Sequence, residues 1–581
     1  MPALAHAHVG EHPSIHDTAA GIIARMADTV PSEKLVKITV PQVLEELTPE
    51  EREILGSKHI IFDVDVPVII SIFRQSGLTE DLFWLKDQGF KKTAHRITAT
   101  KNEFETWQKA YPAGNIGLGV TSISGSGDHY FIGVAPQNAG DKVKVSNVYP
   151  GRHRVGTLAA GERPYVSWDD RTLTEVPKDL TGQIMIRGDE NKRRSAKLID
   201  IFRATDYVST TTPDQVVLTW ADDPKTTQTV QWRTSTKVDT GAVRFRTKSG
   251  GAWKTAKAET TLLTSHNTVN DPLAHRHTAT MRGLEPATTY AYAVGDGSEK
   301  GWQTPAEFTT APDGDVPFKF IYMGDAQNGL DTWGNLIQKA HVDEPDMAFY
   351  IMAGDLINRG NERDDWDSFF YNSAGIFDRK QLVPAIGNHE DQGDRGPWMY
   401  LELFDLPDNG PKTITNERAY SYEYGNALFV VLDSQESPAK QTAWLEEQLK
   451  NSDKTWKIMI YHAPMYSSGA DRDNPRVRAA WGPLFDKYHV DLALQGHDHA
   501  YLRTYPMYNE KPVSSPKEGT IYIVSVSGTK YYDQGDFDYT EFGMTNVSTY
   551  QVLDIEIEGN KLSYKAYDIN GDVRDQFVIE K

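Results

Sequence analysis

Gly496-His497-Asp498-His499-Ala500-Tyr501-Leu502-Arg503 is the stretch that decides how this chain is read. It follows the apolar run Val490 to Leu494, which reads as a buried strand, so it sits just past a strand end. Two histidines one residue apart on an extended segment present both rings to one side, as a metal ion requires. The glycine ahead of them lets the backbone turn sharply after the strand.

The same pattern recurs towards the N-terminus. Tyr461-His462-Ala463-Pro464 ends the run Trp456 to Tyr461, and Gly387-Asn388-His389-Glu390 follows Leu382 to Ile386. Gly354-Asp355-Leu356 follows Met347 to Ala353, and Gly324-Asp325-Ala326-Gln327 follows Phe318 to Met323. Each motif alone reads as a turn, a capping pair or a core histidine. All of them together, at successive strand ends, occupy the place where open α/β sheets carry their sites. They supply aspartates, an asparagine and histidines, a mix of hard oxygen and imidazole donors that suits Zn, Mn or Fe.

The surroundings divide the chain into three blocks. Residues 313–581 alternate short apolar runs with amphipathic segments, such as the one that Ser437-Pro438 opens with Trp444, Leu445 and Leu449; this is a layered α/β domain. Residues 205–312 hold strand-like stretches at even spacing (Val216 to Trp220, Thr229 to Arg233, Val243 to Thr247, Thr289 to Val294), which predicts a β-sandwich. There, Leu284-Glu285-Pro286-Ala287-Thr288-Thr289-Tyr290 resembles the tyrosine corner of fibronectin type III modules, a structural device. Residues 1–204 read as helices then strands, an α+β region without a catalytic motif. Thr48-Pro49-Glu50-Glu51 starts one helix, and Thr79 caps another that carries Leu82, Phe83 and Leu85 and closes at Gly89. Tyr130 to Ala135 and Val143 to Val148 read as strands. Lys192-Arg193-Arg194 reads as a solvated loop, and His6, His8, His12 and His16 as a flexible tail.

Composition removes several classes of function. The 581 residues carry 61 Lys plus Arg against 81 Asp plus Glu, a net charge of −20, so a nucleic-acid packaging role is a poor fit. No cysteine is present, which excludes thiolate metal sites, disulfides and cysteine nucleophiles. The most apolar stretch, Ile60 to Phe73, is interrupted by Asp63 and Asp65, so no membrane span is expected. Met1 to Ala7 hold no long apolar core, so no intact signal peptide is expected; the numbering could start after a removed one.

The motif set resembles the calcineurin-like metallophosphoesterase superfamily. Within it, the preceding sandwich, the Gly-His-x-His-Ala-Tyr-x-Arg signature at 496–503 and the ending Gly571-Asp572-Val573-Arg574-Asp575-Gln576-Phe577 resemble purple acid phosphatases. The resemblance covers about residues 206 to 581. It implies a four-layer α-β-β-α catalytic sandwich preceded by a fibronectin type III-like module, and two metal ions, Fe, Zn or Mn. Asp355 would bridge them, Asp325 and His499 would complete the first site, and Asn388, His462 and His497 the second. His389 would face the substrate as proton donor. Arg503 is placed beside it, contacting phosphate or, slightly favoured, packing under the histidine pair. The implied activity is hydrolysis of small phosphate esters, foremost monoesters, by a metal-bound hydroxide, in an extracytoplasmic setting.

The sequence departs from the family in three places. Where purple enzymes carry an iron-binding tyrosine stands Asn358, so the protein is expected not to be purple. Where they carry glycine, and many relatives histidine, stands Gln327, which could offer an oxygen to the first metal. The substrate-facing histidine pair is replaced by Asp471 and Arg472, the latter a candidate phosphate contact or a solvated charge. The missing pair keeps open a phosphodiesterase, including one for cyclic nucleotides; the sandwich and the unassigned first block keep open a binding protein with a degenerate phosphatase domain.

Overall fold

The computed structural model describes residues 14–80, 82–151, 153–166, 171–188, 196–392, 396–469, 472–558 and 560–581. The chain divides into two compact units, Met1–Ala204 and Thr205–Lys581.

The first unit opens with the helices Ile15–Thr29, Ser32–Leu35, Val40–Glu46 and Pro49–Ser57. The last starts as its sequence dictates: Thr48 Oγ1 accepts from the Glu51 amide, and the Glu51 carboxylate accepts from the Thr48 amide. His16 lies inside the first helix rather than in a tail, whereas His6, His8, His12 and the run Lys192-Arg193-Arg194 fall outside the described residues. A seven-stranded antiparallel sheet follows, centred on Val68–Gln75, Glu103–Tyr111 and Phe131–Pro136, with a separate three-stranded sheet built on Ile60–Val64. The expected helix after Thr79 is shorter and later, Phe83–Asp87, with Leu82 as its N-cap and no side-chain cap bond. Burial of Leu82, Phe83, Trp84 and Leu85, with the Trp84 indole N–H donating to the Val120 carbonyl, fixes that turn in place of a Thr79 cap.

The second unit begins with two four-stranded antiparallel sheets. One holds Asp214–Thr219, Thr227–Ser235, Leu273–Arg282 and Glu259–Thr264; the other holds Lys254–Lys257, Ala242–Thr247, Thr289–Gly295 and Ala306–Thr309. Trp232, Phe245, Tyr292 and Phe308 fill the space between them. At the corner, the Glu285 amide donates to the Tyr290 hydroxyl at 2.9 Å.

The remainder is a pair of larger sheets. The first runs Gln381–Pro384, Phe349–Met352, Phe318–Met323, Thr549–Glu556, Lys561–Asp568 and Val573–Glu580; its first three strands are parallel. The second has a parallel centre of Ala427–Val431, Trp456–Ile460, Leu492–Gln495 and Ile521–Val524, flanked by antiparallel strands. Phe320, Phe349, Phe429 and Ile460 pack between the sheets. Trp333 and Phe369 of the helices Leu330–Asp343 and Arg363–Asn372 cover the first sheet. Leu445, Trp481 and Phe485 of the helices Thr442–Asn451 and Pro475–Tyr488 cover the second. The four layers are thus α-β-β-α, and central parallel strands of both sheets end at one edge.

Candidate metal centre

Every strand-end motif delivers its polar residue to that edge. Asp325, Asp355 and Asn388 come from the first sheet, and His462, His497 and His499 from the second. Two sets of ligand atoms each lie within 4.8 Å of one another: Asp355 with His462 and His497, and Asp325 with Asp355 and His499. Asp355 belongs to both.

Hydrogen bonding to the outer ring nitrogens fixes which nitrogens face inward. His462 Nδ1 donates to the Ala353 carbonyl at 2.9 Å, and His499 Nδ1 donates to the Lys530 carbonyl at 2.9 Å. Each ring therefore turns its Nε2 towards the centre, the way metal-binding histidines are held by backbone carbonyls. His462 Nε2 meets Asp355 Oδ2 at 3.2 Å, Asn388 Oδ1 at 3.2 Å and His497 Nδ1 at 3.2 Å. Asn388 Oδ1 lies 2.8 Å from His497 Nδ1, and His499 Nε2 lies 3.7 Å from Asp325 Oδ1. Acceptors converge with few donors among them, and the buried Asp325 Oδ1 and Gln327 Oε1 have no hydrogen-bond partner. Buried acceptors are normally satisfied; a cation held by the first set would satisfy Asp325 Oδ1, so the residues present fit the two-metal expectation.

The electrostatics point the same way. Burial, with Asp355 beside it, holds the Asp325 carboxyl well above the usual range. Burial also opposes ionisation of Asp355, but His462 outweighs it and holds that carboxyl low. For His462 burial favours the neutral ring, yet Asp355 and Asp325 push the imidazole up to about 10. A proton there answers the same negative charge that a metal ion answers. Burial, with His462 and Arg472 adding to it, pushes His497 down to about 2, and burial pushes His499 down to about 4. Both stay neutral and free to ligate.

His389 stands at the half-open side of this centre. Its Nδ1 lies 2.5 Å from the Asn358 carbonyl, and its Nε2 lies 3.9 Å from Asp355 Oδ2. Asn358 thus meets the site through its backbone. Gln327 Nε2 lies 2.8 Å from Asp355 Oδ2 and 3.1 Å from His499 Nε2, inside the first set. Of the two roles open to Arg503, its contacts are those of the supporting one. Asp575 takes it in a two-pronged pair at 2.7 and 3.0 Å, Glu541 takes Nη1, and the guanidinium packs over Phe577, so it braces the sheet edge and has no free donor face. Arg472 is tied by Nε to Asp498 at 2.7 Å and by Nη2 to the His497 carbonyl at 2.8 Å; Asp471 lies outside the described residues.

One residue escaped the sequence reading. Glu390 is fully buried and accepts the amides of Gly387 (2.7 Å), Asp355 (2.9 Å) and Leu356 (2.8 Å). Its place beside His389 in the motif was the available signal.

Comparison with known proteins agrees with this geometry. The purple acid phosphatase N-terminal domain family matches residues 213–310, and the calcineurin-like phosphoesterase family matches residues 318–501. An uncharacterized protein of Mycobacterium tuberculosis is 26% identical over 334 residues, 50% of this chain and 62% of that protein. The phosphoenolpyruvate phosphatase of Allium cepa is 27% identical over 321 residues, 51% of this chain and 64% of that protein. The chain thus spans less than two thirds of the length of these relatives. Purple acid phosphatase PPD1 from yellow lupin (Lupinus luteus) seeds has a similar fold, with a TM-score of 0.57 at 17% identity, covering 90% of this chain and 91% of that one. That coverage exceeds what residues 205–581 alone would give, so the likeness of fold reaches into the first unit, past the expected limit of the resemblance. Residues 318–501 therefore match the calcineurin-like phosphoesterase family, and the chain resembles the purple acid phosphatases.

Proposed function

We propose that this chain hydrolyses phosphate monoesters at a two-metal site held by Asp325, Asp355, Asn388, His462, His497 and His499. The observation that carries the reading is the sharing of Asp355 by two convergent sets of acceptors. Gln327 joins the first set through Oε1, because exchanging its amide oxygen and nitrogen turns an orphaned acceptor towards Asp355 and His499. Asn358 is given no metal. Iron, zinc or manganese bound here supplies charge for the phosphoryl oxygens and a nucleophile at neutral pH. The protein's own part in the chemistry falls to His389. With Nδ1–H held by the Asn358 carbonyl, Nε2 is the atom left to carry a proton to the departing oxygen. An extracytoplasmic setting goes with the family resemblance.

Hydrolysis of an aryl phosphate monoester and its matching diester, after reconstitution with Fe, Zn or Mn, tests the reading. A monoester preference is expected. A diester preference keeps the metal site and makes the protein a phosphodiesterase; failure to retain any metal makes it a binding protein. His389→Ala should keep both metals and lose roughly 10²- to 10⁴-fold on alkyl phosphates. Full alkyl phosphatase activity in that variant rules out the proton-donor role.

A further inference from the structure

Beside the first set of ligands lies a group of side chains that the proposed reaction leaves unused. The Tyr532 ring packs 4.9 Å from the His499 ring, and the Tyr532 amide donates to the His499 carbonyl at 3.0 Å. Two cations lie against this tyrosine ring. The Arg472 guanidinium lies 5.0 Å from its centroid, and Lys530 Nζ also lies 5.0 Å from it. Both cations belong to segments that touch metal-site residues directly: Lys530 through its carbonyl on His499 Nδ1, Arg472 through Nη2 on the His497 carbonyl.

The pairing of these cations is incomplete. Asp498, fully buried, takes Arg472 Nε and is itself held by Ser467 and Ser468, so it locks the guanidinium in position. Arg472 Nη1 makes no hydrogen bond among the described residues, and its side chain keeps 29% exposure. Lys530 Nζ has no carboxylate within ion-pair distance among the described residues, in a chain whose acidic side chains outnumber basic ones, 81 to 61. Two cations with unused donors beside one ring, one of them pinned, make a receptor for an anion.

We infer that Arg472 and Lys530, both 5.0 Å from the Tyr532 ring centroid, receive a second anionic group of the substrate, so that the preferred esters are those whose leaving group itself carries a carboxylate or a phosphate. The inference rests on the phosphoester reading of the metal centre. The reacting phosphoryl group belongs at the metal ligands; the second anion belongs at Tyr532, next to His499. An ester with a neutral leaving group leaves both donors unused.

The test compares phenyl phosphate, 3-carboxyphenyl phosphate and 1,3-phenylene bisphosphate on the full-length, metal-loaded protein and on Lys530→Gln, with metal content measured in both. The wild-type protein should favour the two anionic esters in kcat/KM. In Lys530→Gln the ratio of anionic to neutral ester should fall about tenfold, the loss of one charge-assisted contact. The anionic ester that loses more identifies carboxylate or phosphate as the group received. Lys530 is chosen because Arg472 also holds the loop against Asp498 and its removal risks the fold. Equal hydrolysis of all three esters, or a ratio unchanged in Lys530→Gln at full metal content, overturns this inference and leaves the phosphoester reading standing. Hydrolysis of none of the three by the metal-loaded wild-type protein overturns both.

Discussion

Asp325, Asp355, His497 and His499 all adopt positive φ, at 46°, 52°, 78° and 48°. Side chains other than glycine resist this region at about 1–2 kcal/mol each, so the site holds strain that its surroundings must fix. The sharp turns after the strands are therefore made largely by the proposed ligands themselves. Of the glycines ahead of them, Gly354 does turn, at φ 85°, but Gly387 and Gly496 serve a different need. A Cβ on Gly387 would stand 2.2 Å from Asp355 Oδ1, and one on Gly496 would stand 2.3 Å from Asp325 Oδ2. The residues that converge here could be picked out in the sequence because strand ends and donor chemistry are both local. The reason for the glycines could not, since the atom each avoids comes from another strand. Gly496→Ala should weaken metal binding by about tenfold or more in competition with a chelator, because Asp325 must move. An unchanged affinity would show that the close approach has no bearing on the metal.

At the scale of the element, one carboxylate ties together two of the turns that carry proposed ligands. Glu390 sits after the strand Gln381–Pro384 and accepts the Asp355 and Leu356 amides from the turn after Phe349–Met352, besides that of Gly387. The His389 amide closes the tie by donating to Asp355 Oδ1 at 2.9 Å. Glu390→Gln sets an amide NH₂ against backbone N–H groups in a fully buried place, which costs about 1–3 kcal/mol. A lower melting temperature and easier loss of metal on dialysis are expected; a variant that matches the wild type in both would remove the clamp. The elements themselves were well marked in the sequence where apolar runs are short and bounded, as at Phe318–Met323 and Trp456–Ile460. They were less so where a partner far along the chain decides the outcome. Thr79 looked like a cap, but packing around Trp84 placed the helix start. Arg503 allowed either a phosphate contact or a supporting role, and its partner, Asp575, lies 72 residues on.

At the scale of the whole molecule, acid has two opposing effects. The net charge of −20 at pH 7 shrinks as histidines and carboxylates take up protons, which relieves self-repulsion. The sandwich of residues 214–309 works against that relief through His277, which is fully buried. Its Nε2 meets Thr234 Oγ1 at 2.8 Å, its Nδ1 meets Thr260 Oγ1 at 2.9 Å, and the ring stacks on Trp232 at 5.2 Å. Burial above all, then His275 and Arg276, pushes it down to about 4 from 6.5. Between those two values the unfolded chain binds a proton that the folded chain refuses. Stability therefore rises with pH across that window and is lost as pH falls through it, by roughly 3 kcal/mol at most from this one ring. His277→Gln should melt below the wild type at pH 7, since the stacked ring and its paired threonines are disturbed. The gap should narrow by pH 4.5, because glutamine has no proton to take up. Melting curves of both proteins at the two pH values decide it. A gap that stays constant would assign the acid sensitivity of the fold to its carboxylates and not to this buried imidazole.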